Sequence, residues 1–92
     1  MSKRVLITST KFAKKYRKAD LRKQNLISIA LQKFMNYEDS GLRIHKLQGT
    51  YKGFWSIDAD YDLRIIYSVN KSGIITIHNL EDFGTHKELY GT

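Results

Sequence analysis

The chain has 92 residues, 27% of them charged and 41% hydrophobic, with a net charge of +7 and no cysteine. That length and composition are typical of one globular domain with one core, which we place at residues 1–92. The lack of cysteine excludes disulfides, thiolate nucleophiles and cysteine-ligated zinc. No apolar run in the sequence approaches membrane-spanning length, so we expect a soluble cytoplasmic protein.

The positive charge is concentrated at one end of the chain. Residues 1–25 hold nine basic groups and one acidic group, a balance of +8, whereas the remaining residues have a balance of −1. Such a cationic segment attracts a phosphate backbone or an acidic protein partner. The alternative is a solvated helical surface whose charges serve solubility alone, and the sequence leaves both interpretations open.

The first third of the chain predicts a strand followed by two helices. The β-branched apolar run at residues 5–7 is typical of a strand. The hydroxyl groups of residues 9–10 can cap a helix through Lys18. Asp20 can cap a longer helix that reaches about Met35, because the apolar residues between them recur at helical spacing. Together the two helices predict a helical hairpin.

From residue 45 onward the hydrophobic pattern changes from helical to alternating. Residues 45–47 can open a series of strands, and three further segments are strand-like: 54–58, 63–69 and 74–78. Residues 70–73 are typical of a hairpin turn. A strand, two helices and consecutive strands predict an α+β fold, in which the N-terminal strand and helical hairpin pack on a twisted antiparallel sheet. We expect the first strand at a sheet edge or beside the last strands.

The pairing of the strands decides which polar groups share a face of the sheet. A three-residue connection would pair Asp58 with Asp62 and Ser56 with Arg64. That register brings four apolar side chains together in the core: Trp55, Ile57, Leu63 and Ile65. The opposite face would then carry the four polar residues, and His78 can fall on the same face.

Histidines are the clearest candidates for proton transfer, because their ordinary pKa lies near neutral pH. The chain has three: His45, His78 and His86. No pair has the spacing of a zinc-binding HExxH motif, and nucleophile-elbow, phosphate-loop and dinucleotide-binding motifs are missing from the sequence. We therefore predict neither a metal nor a cofactor. Composition, charge and motifs by themselves favour a basic α+β domain that binds nucleic acid.

Three segments resemble a family of small toxins. Residues 45–54, HKLQGTYKGF, look like the HxLxG…KG(Y/F) segment of YafQ-like toxins. Residues 62–67, DLRIIY, resemble a strand found across RelE, StbE and ParE relatives. Residues 84–91, GTHKELYG, look like the terminal GTHxxL(F/Y)G of the YafQ group. The chain thus resembles the YafQ-like branch of the RelE/ParE toxin superfamily over its whole length.

The resemblance implies a ribosome-dependent mRNA endonuclease that acts as the toxin of a type II toxin–antitoxin system. In that family, attack of an RNA 2′-hydroxyl on the adjacent phosphate leaves a 2′,3′-cyclic phosphate and a 5′-hydroxyl without a metal ion. The implied partners are mRNA in the ribosomal A site, 16S rRNA and an antitoxin with an acidic segment, which forms a hetero-oligomer with the toxin. No membrane partner is implied.

The resemblance also assigns roles to individual residues. His45 matches a candidate base, and Asp62 matches a base or a group that orients a histidine. His86 matches the acid that protonates the leaving oxygen. Arg64 matches a clamp for the scissile phosphate, and Tyr90 matches an aromatic residue that positions the RNA. The lysines that we expect to contact RNA are Lys11, Lys14, Lys15, Lys18 and Lys52.

The chain departs from the family pattern at two positions. Asp58 stands where YafQ-like toxins often have a histidine, and Leu63 stands where they often have a tryptophan. A carboxylate at position 58 can act as a base only if burial or nearby Asp62 raises its pKa. The identity of the base therefore stays open among the carboxylates and His45.

Other interpretations compete with this one. Arg64 can simply pair with a carboxylate across the sheet, and Thr85 with Glu88 fits a helix capping box in which His86 is incidental. Two other functions are a ParE-like inhibitor of DNA gyrase and a catalytically weak module that binds nucleic acid or the ribosome. His45 and His86 favour the nuclease, because ParE-like members generally lack the terminal histidine.

Overall fold

The computed structural model describes residues 3–91, so residues 1, 2 and 92 of the predicted domain lie outside the described range. Within it, five strands and three helices follow one another along the chain. Their bounds are Lys3–Thr8 (β1), Thr10–Lys18 (α1), Leu21–Met35 (α2), His45–Lys46 (β2), Trp55–Asp60 (β3), Leu63–Ser72 (β4), Ile75–Gly84 (β5) and His86–Tyr90 (α3). A 3₁₀ turn at Gly49–Tyr51 lies between β2 and β3.

The five strands form one sheet in the order β1-β5-β4-β3-β2. β1 runs parallel to β5, and the other neighbouring strands are antiparallel. The N-terminal strand is therefore an edge strand and lies beside the last strand, as the sequence predicted. The α+β prediction is confirmed, with a strand, two helices and an antiparallel meander in the expected order.

Side-chain caps begin the first two helices at the predicted positions. The Ser9 hydroxyl accepts a hydrogen bond of 3.0 Å from the amide of Phe12. The Asp20 carboxylate accepts one of 2.8 Å from the amide of Lys23. Each cap satisfies an amide that has no partner inside its own helix. Within residues 3–91, the length and hydropathy of every helix fall short of what a bilayer crossing requires.

Apolar side chains are buried on both faces of the sheet. On one face, which we call the helix face, α1 and α2 pack through Phe12, Ile27, Ala30 and Phe34. The predicted core residues Trp55, Ile57, Leu63 and Ile65 pack in the same cluster. Strand residues alternate between faces, so Ile66 lies on the other face, where it packs with Leu47 and Leu89. The short helix α3 thus covers the face that α1 and α2 leave open.

The predicted pairing of β3 with β4 was wrong by two residues. Asp58 lies opposite Arg64 and Ser56 lies opposite Ile66, and the pairing shifts between Asp58 and Asp60. A two-residue turn joins the strands in place of the predicted three-residue connection. The shift leaves one extra residue in β3, a β-bulge, which alternation of apolar residues does not reveal. Because the shift is by an even number, the predicted core residues still share a face.

The predicted face of His78 was also wrong. The pairing of β4 with β5 shifts between Ile66 and Tyr67, so that Ile66 lies opposite Asp82 but Tyr67 lies opposite Leu80. The extra residue reverses the alternation along β5, and His78 therefore packs on the helix face. Its ring meets that of Phe34 edge-on, with 4.7 Å between centroids.

The last hairpin turns later than predicted. Ser72 still pairs with Ile75, so the connection consists of residues 73–74 and not 70–73. Gly73 has a φ of +61°, a conformation that residues with a side chain rarely adopt. Lys71 belongs to β4 because the ladder runs on until this glycine.

His78 provides a pH test of the packing on the helix face. Burial lowers its pKa from the ordinary 6.5, because the charged imidazolium loses its hydration there. The unfolded chain therefore binds this proton more tightly than the folded chain. The free energy of unfolding should be highest above pH 6.5 and fall as the pH drops through the lower folded-state pKa.

Urea denaturation at about pH 7.5 and about pH 5.5 would measure this loss. This pH range lies above the pKa values of the Asp39 and Glu88 carboxyl groups. The fold lowers those pKa values from their ordinary 3.8 and 4.5. A His78→Gln variant should show a flatter profile than the wild type. An unaltered slope in His78→Gln would contradict the assignment.

Candidate active site

An open cleft of about 660 Å³ lies at the end of the sheet where β3 turns into β4. It is bounded on one side by α2 and loop residues 41–43, and on the other by the β3–β4 turn and the start of α3. Four of the six predicted catalytic residues line it: Asp58, Asp62, Arg64 and His86. Among residues 3–91, no group of three carboxylate or histidine side chains is placed to hold a metal ion.

Asp58 lies between two guanidinium groups. Nε of Arg64 is 3.9 Å from one carboxylate oxygen, and Nε of Arg43 is 3.8 Å from the other. The oxygen nearer to Arg64 is buried and accepts no hydrogen bond from any residue in the described range 3–91. These separations exceed hydrogen-bond length, so both guanidinium groups keep N–H donors for an anion in the cleft. The side chains of Arg64 and Arg43 are 31% and 79% exposed, which leaves both accessible to such an anion.

A capping box begins α3 and a carboxylate from the β3–β4 turn reinforces it. The Thr85 hydroxyl accepts from the Glu88 amide at 3.1 Å, and the Glu88 carboxylate accepts from the Thr85 amide at 2.8 Å. The bond from the Thr85 amide lowers the pKa of Glu88. Asp62 accepts from the His86 amide at 3.0 Å. The predicted capping box is present, and Asp62 joins it to the turn.

Tyr90 lies beside the cleft and contacts one of the residues that line it. Tyr90 and His86 are one helical turn apart on α3, and their ring centroids are 4.7 Å apart. Tyr90 also meets the ring of Tyr51 edge-on at 5.4 Å. The Tyr51 hydroxyl in turn donates a 3.2 Å hydrogen bond to the Leu89 carbonyl. The two tyrosines therefore support His86 from the face of the sheet that α3 covers.

His45 lies on the edge strand β2 and is not among the residues that line the cleft. It pairs with Ser56 of β3, so its side chain projects from the face that α3 covers. Nδ1 of His45 is 2.6 Å from the carbonyl oxygen of Arg43. A carbonyl only accepts, so Nδ1 carries the ring proton in this contact. In neutral His45 the acceptor nitrogen is then Nε2.

The lysines that we expected to contact RNA divide into two groups. Asp82 is buried on β5, accepts a 3.0 Å hydrogen bond from Lys15, and lies 3.3 Å from the ammonium of Lys11. Lys15 also donates to the carbonyl of Phe83. These contacts join α1 to β5. The other three lysines, Lys14, Lys18 and Lys52, are exposed and are not among the lysines that pair with Asp82.

Arg43 is a site residue that the sequence analysis missed. It lines the cleft, and the loop that carries it is held to β3 by a 2.7 Å hydrogen bond from the Asp58 amide to the Leu42 carbonyl. Its φ of +50° is unusual for a residue with a side chain, and no pattern in the sequence predicts that bend. The one available signal is its position just before the toxin-like segment that begins at His45.

No protein-family model matches the chain, and no curated protein matches its sequence. Solved structures do match. A YoeB/ParE toxin from Agrobacterium tumefaciens has a TM-score of 0.67 at 21% identity, over 94% of this chain and 99% of that chain. YafQ from E. coli strain BL21(DE3) has a TM-score of 0.64 at 22% identity, over 96% and 99%. A chain of the E. coli DinJ-YafQ toxin-antitoxin complex has a TM-score of 0.59 at 22% identity, over 97% and 99%.

The chain has the fold of these toxins. The resemblance in the sequence motifs is thereby confirmed at the level of the fold. In this toxin fold, residues 62–67 and 84–91 contribute directly to the cleft. Residues 45–54 run from β2 into the apolar cluster under α3. The three motif segments therefore meet on the side of the sheet where the candidate site lies.

Asp62 provides a test of how α3 is held beside the cleft. Asp62→Ala removes the acceptor of the His86 amide, and loss of a helix cap costs about 1 kcal/mol. Asp62→Asn keeps an oxygen that can accept the same bond. Hydrogen exchange of the His86 amide, measured by NMR, should therefore accelerate roughly five-fold in the alanine variant and little in the asparagine variant.

Asp60→Ala is the matched control, because Asp60 is a nearby carboxylate that pairs with Arg22 of α2. Equal exchange of the His86 amide in the two alanine variants would show that Asp62 does not hold the helix.

Proposed function

We propose that the protein is the toxin of a toxin–antitoxin pair and a ribosome-dependent endoribonuclease that cleaves mRNA without a metal ion. The observation that carries the proposal is the cleft itself. It brings Arg64 and two carboxylates of the β3–β4 hairpin together with His86 of α3, in a fold shared with solved toxins such as YafQ. A cation for the phosphate and a group for proton transfer are what this reaction requires.

In the proposed reaction, the 2′-hydroxyl oxygen of one nucleotide attacks the adjacent phosphorus. The bond from phosphorus to the 5′-oxygen of the next nucleotide breaks, which leaves a 2′,3′-cyclic phosphate and a 5′-hydroxyl. One proton leaves the 2′-oxygen and one is delivered to the 5′-oxygen, so a base and an acid are both needed. Arg64 and Arg43 are placed to stabilise the charge that develops on the phosphate oxygens.

His86 is our candidate for the acid and His45 for the base. His86 lines the cleft at the start of α3. His45 holds its ring proton on Nδ1 against the Arg43 carbonyl, which leaves Nε2 to accept a proton. His45 lies outside the cleft in the free protein, so RNA must bind across β2 for this base to act. The hydrogen bond from His45 to Arg43 links its position to that of the phosphate-binding arginine.

The two carboxylates suit positioning better than proton abstraction. Asp58 lies between two arginines, and each of its carboxylate oxygens faces one of them. It holds Arg43 and Arg64 on either side of one point in the cleft. Asp62 already accepts from the His86 amide and so orients α3. Tyr90, which contacts the His86 ring, offers a face on which an RNA base can stack.

Substitution of the cleft residues tests the chemistry. His86→Ala should lower mRNA cleavage roughly 10²–10⁴-fold, the usual contribution of a positioned acid. Arg64→Ala should also lower cleavage strongly, and Arg64→Lys should restore only part, because an ammonium cannot make the paired contacts of a guanidinium. The measurement is primer extension on mRNA from a cell-free translation reaction, with and without ribosomes.

Lys87→Ala is the matched control, because Lys87 is exposed on α3 next to His86. Wild-type cleavage by His86→Ala would exclude His86 as the acid. Absence of cleavage by the wild type, or full toxicity of an Arg64→Ala, His86→Ala double variant, would favour gyrase inhibition or a binding module over the nuclease.

The exposed lysines of α1 suit a polyanionic partner. Lys14 and Lys18 are exposed, whereas Lys15 is engaged by Asp82. We infer that this surface contacts 16S rRNA and that the acidic segment of an antitoxin competes for it. The toxin fold also occurs in a toxin-antitoxin complex, DinJ-YafQ, which supports a protein partner for this chain.

Charge reversal on α1 tests the ribosome contact. Lys14→Glu and Lys18→Glu should each weaken ribosome binding and flatten its dependence on salt, by roughly 0.7–0.9 in the log–log slope for each lost phosphate contact. Lys3→Glu makes the same change of charge on β1, away from α1, and should leave the slope unaltered. Binding is measured by cosedimentation with ribosomes over a series of salt concentrations. Identical slopes in all three variants would make the basic helix a solubility feature.

A further inference from the structure

A second cavity of about 660 Å³ lies on the helix face of the sheet, separate from the cleft. We call it the Trp55 pocket. Half-buried Trp55 and Val69 line it together with buried Tyr67 and His78. Burial raises the pKa of Tyr67 to about 12 and lowers that of His78, so both are uncharged at neutral pH. The pocket thus offers an aromatic, uncharged surface of the kind on which a nucleobase stacks.

The rim of the Trp55 pocket is cationic. Exposed Arg43 and Lys71 line it, and the ammonium of Lys46 lies 5.4 Å from the centroid of the Trp55 ring. Among the described residues that line the pocket, Asp39 is the only carboxylate. Two hydrogen bonds of 2.7 Å pair Asp39 with Arg4, so it neutralises Arg4 and not the rim. The rim is therefore left with an excess of positive charge that suits a phosphate.

The Trp55 pocket and the candidate active site share a wall. Gly41 and Arg43 line both cavities. Arg43 reaches toward Asp58 in the cleft, with 3.8 Å between Nε and the carboxylate oxygen. Arg43 therefore borders both the point between the two arginines where a phosphate would bind and the wall of the Trp55 pocket. An aromatic pocket next to a phosphate site favours RNA as the occupant over an acidic peptide. The carboxylates of a peptide would use only the cationic side chains and not the aromatic surface.

We propose that the Trp55 pocket is a nucleotide subsite of the RNA substrate, in which a base next to the scissile phosphate stacks on Trp55 and the phosphate of that flanking nucleotide is held by Lys71. The inference rests on the proposed endoribonuclease function and adds to it a place for the flanking nucleotide. It predicts that Trp55 and Lys71 act on substrate binding, whereas His86 acts on the chemical step.

Trp55 is the single tryptophan of the chain, so its fluorescence reports on the pocket directly. The full-length His86→Ala protein, titrated with a synthetic RNA trinucleotide, should show saturable quenching that weakens as salt increases. Lys71→Ala in the same background should weaken binding several-fold. Lys3→Ala, an exposed lysine on β1, should leave it unchanged. Lys71 is exposed, so its replacement tests the pocket even if changes at Trp55 disturb folding.

Trp55→Leu should weaken binding of fluorescently labelled RNA roughly 5- to 100-fold, the usual contribution of base stacking, and Trp55→Phe should recover part of it. In the wild-type background, Trp55→Leu should raise KM for cleavage with little change in kcat. Thermal unfolding shows whether each variant is folded.

A failure of the subsite proposal can be distinguished from a failure of the nuclease proposal. Cleavage by the wild type with an unchanged KM in Lys71→Ala and in folded Trp55→Leu would overturn the subsite and leave the nuclease proposal intact. No cleavage by the wild type under any condition would overturn the nuclease. Tighter quenching of Trp55 by an acidic peptide than by the trinucleotide, at equal salt, would assign the pocket to a protein partner and overturn the subsite.

Discussion

The pairing of β3 with β4 positions nearly every group in the cleft. Because Ala59 is the extra residue of a bulge, Asp58 lies opposite Arg64 and a tight turn carries Asp62 to the start of α3. In the register predicted from alternation, Arg64 would instead have faced Ser56, which is completely buried. A guanidinium there would have lost both its carboxylate and its access to solvent, at a large desolvation cost. The bulge therefore makes an anion-binding site possible at this end of the sheet.

The position of His86 depends on a helix that does not form by itself. α3 has five residues, far too few for a stable isolated helix. Burial of Leu89 against Leu47 and Ile66 holds it to the sheet, and full burial of a leucine contributes about 1.5–3 kcal/mol. The capping box and Asp62 add acceptors for the first amides. These interactions orient a histidine whose own side chain is exposed, so packing on one side of α3 sets the geometry on the other.

The placement of the few carboxylates determines which basic side chains are neutralised, and the net charge alone does not show this. Asp82 engages Lys15 and Lys11 and so neutralises part of the positive charge of α1. Asp39 similarly neutralises Arg4. In contrast, Asp58 approaches its two arginines only at ion-pair distance, so they retain donors for an anion. Exposed cations that retain donors for an anion therefore lie around the cleft, the Trp55 pocket and the outer surface of α1.

The sequence by itself determined the local elements and the family of folds. Helix caps such as Ser9 and Asp20 act within one turn, and alternation within a strand depends on immediate neighbours, so both can be predicted from nearby residues. Tertiary structure decided the strand register, the face of His78 and the presence of Arg43 in the cleft. A bulge or a loop with positive φ is stabilised by contacts between segments distant in the chain, and a pattern of neighbouring residues does not contain those contacts.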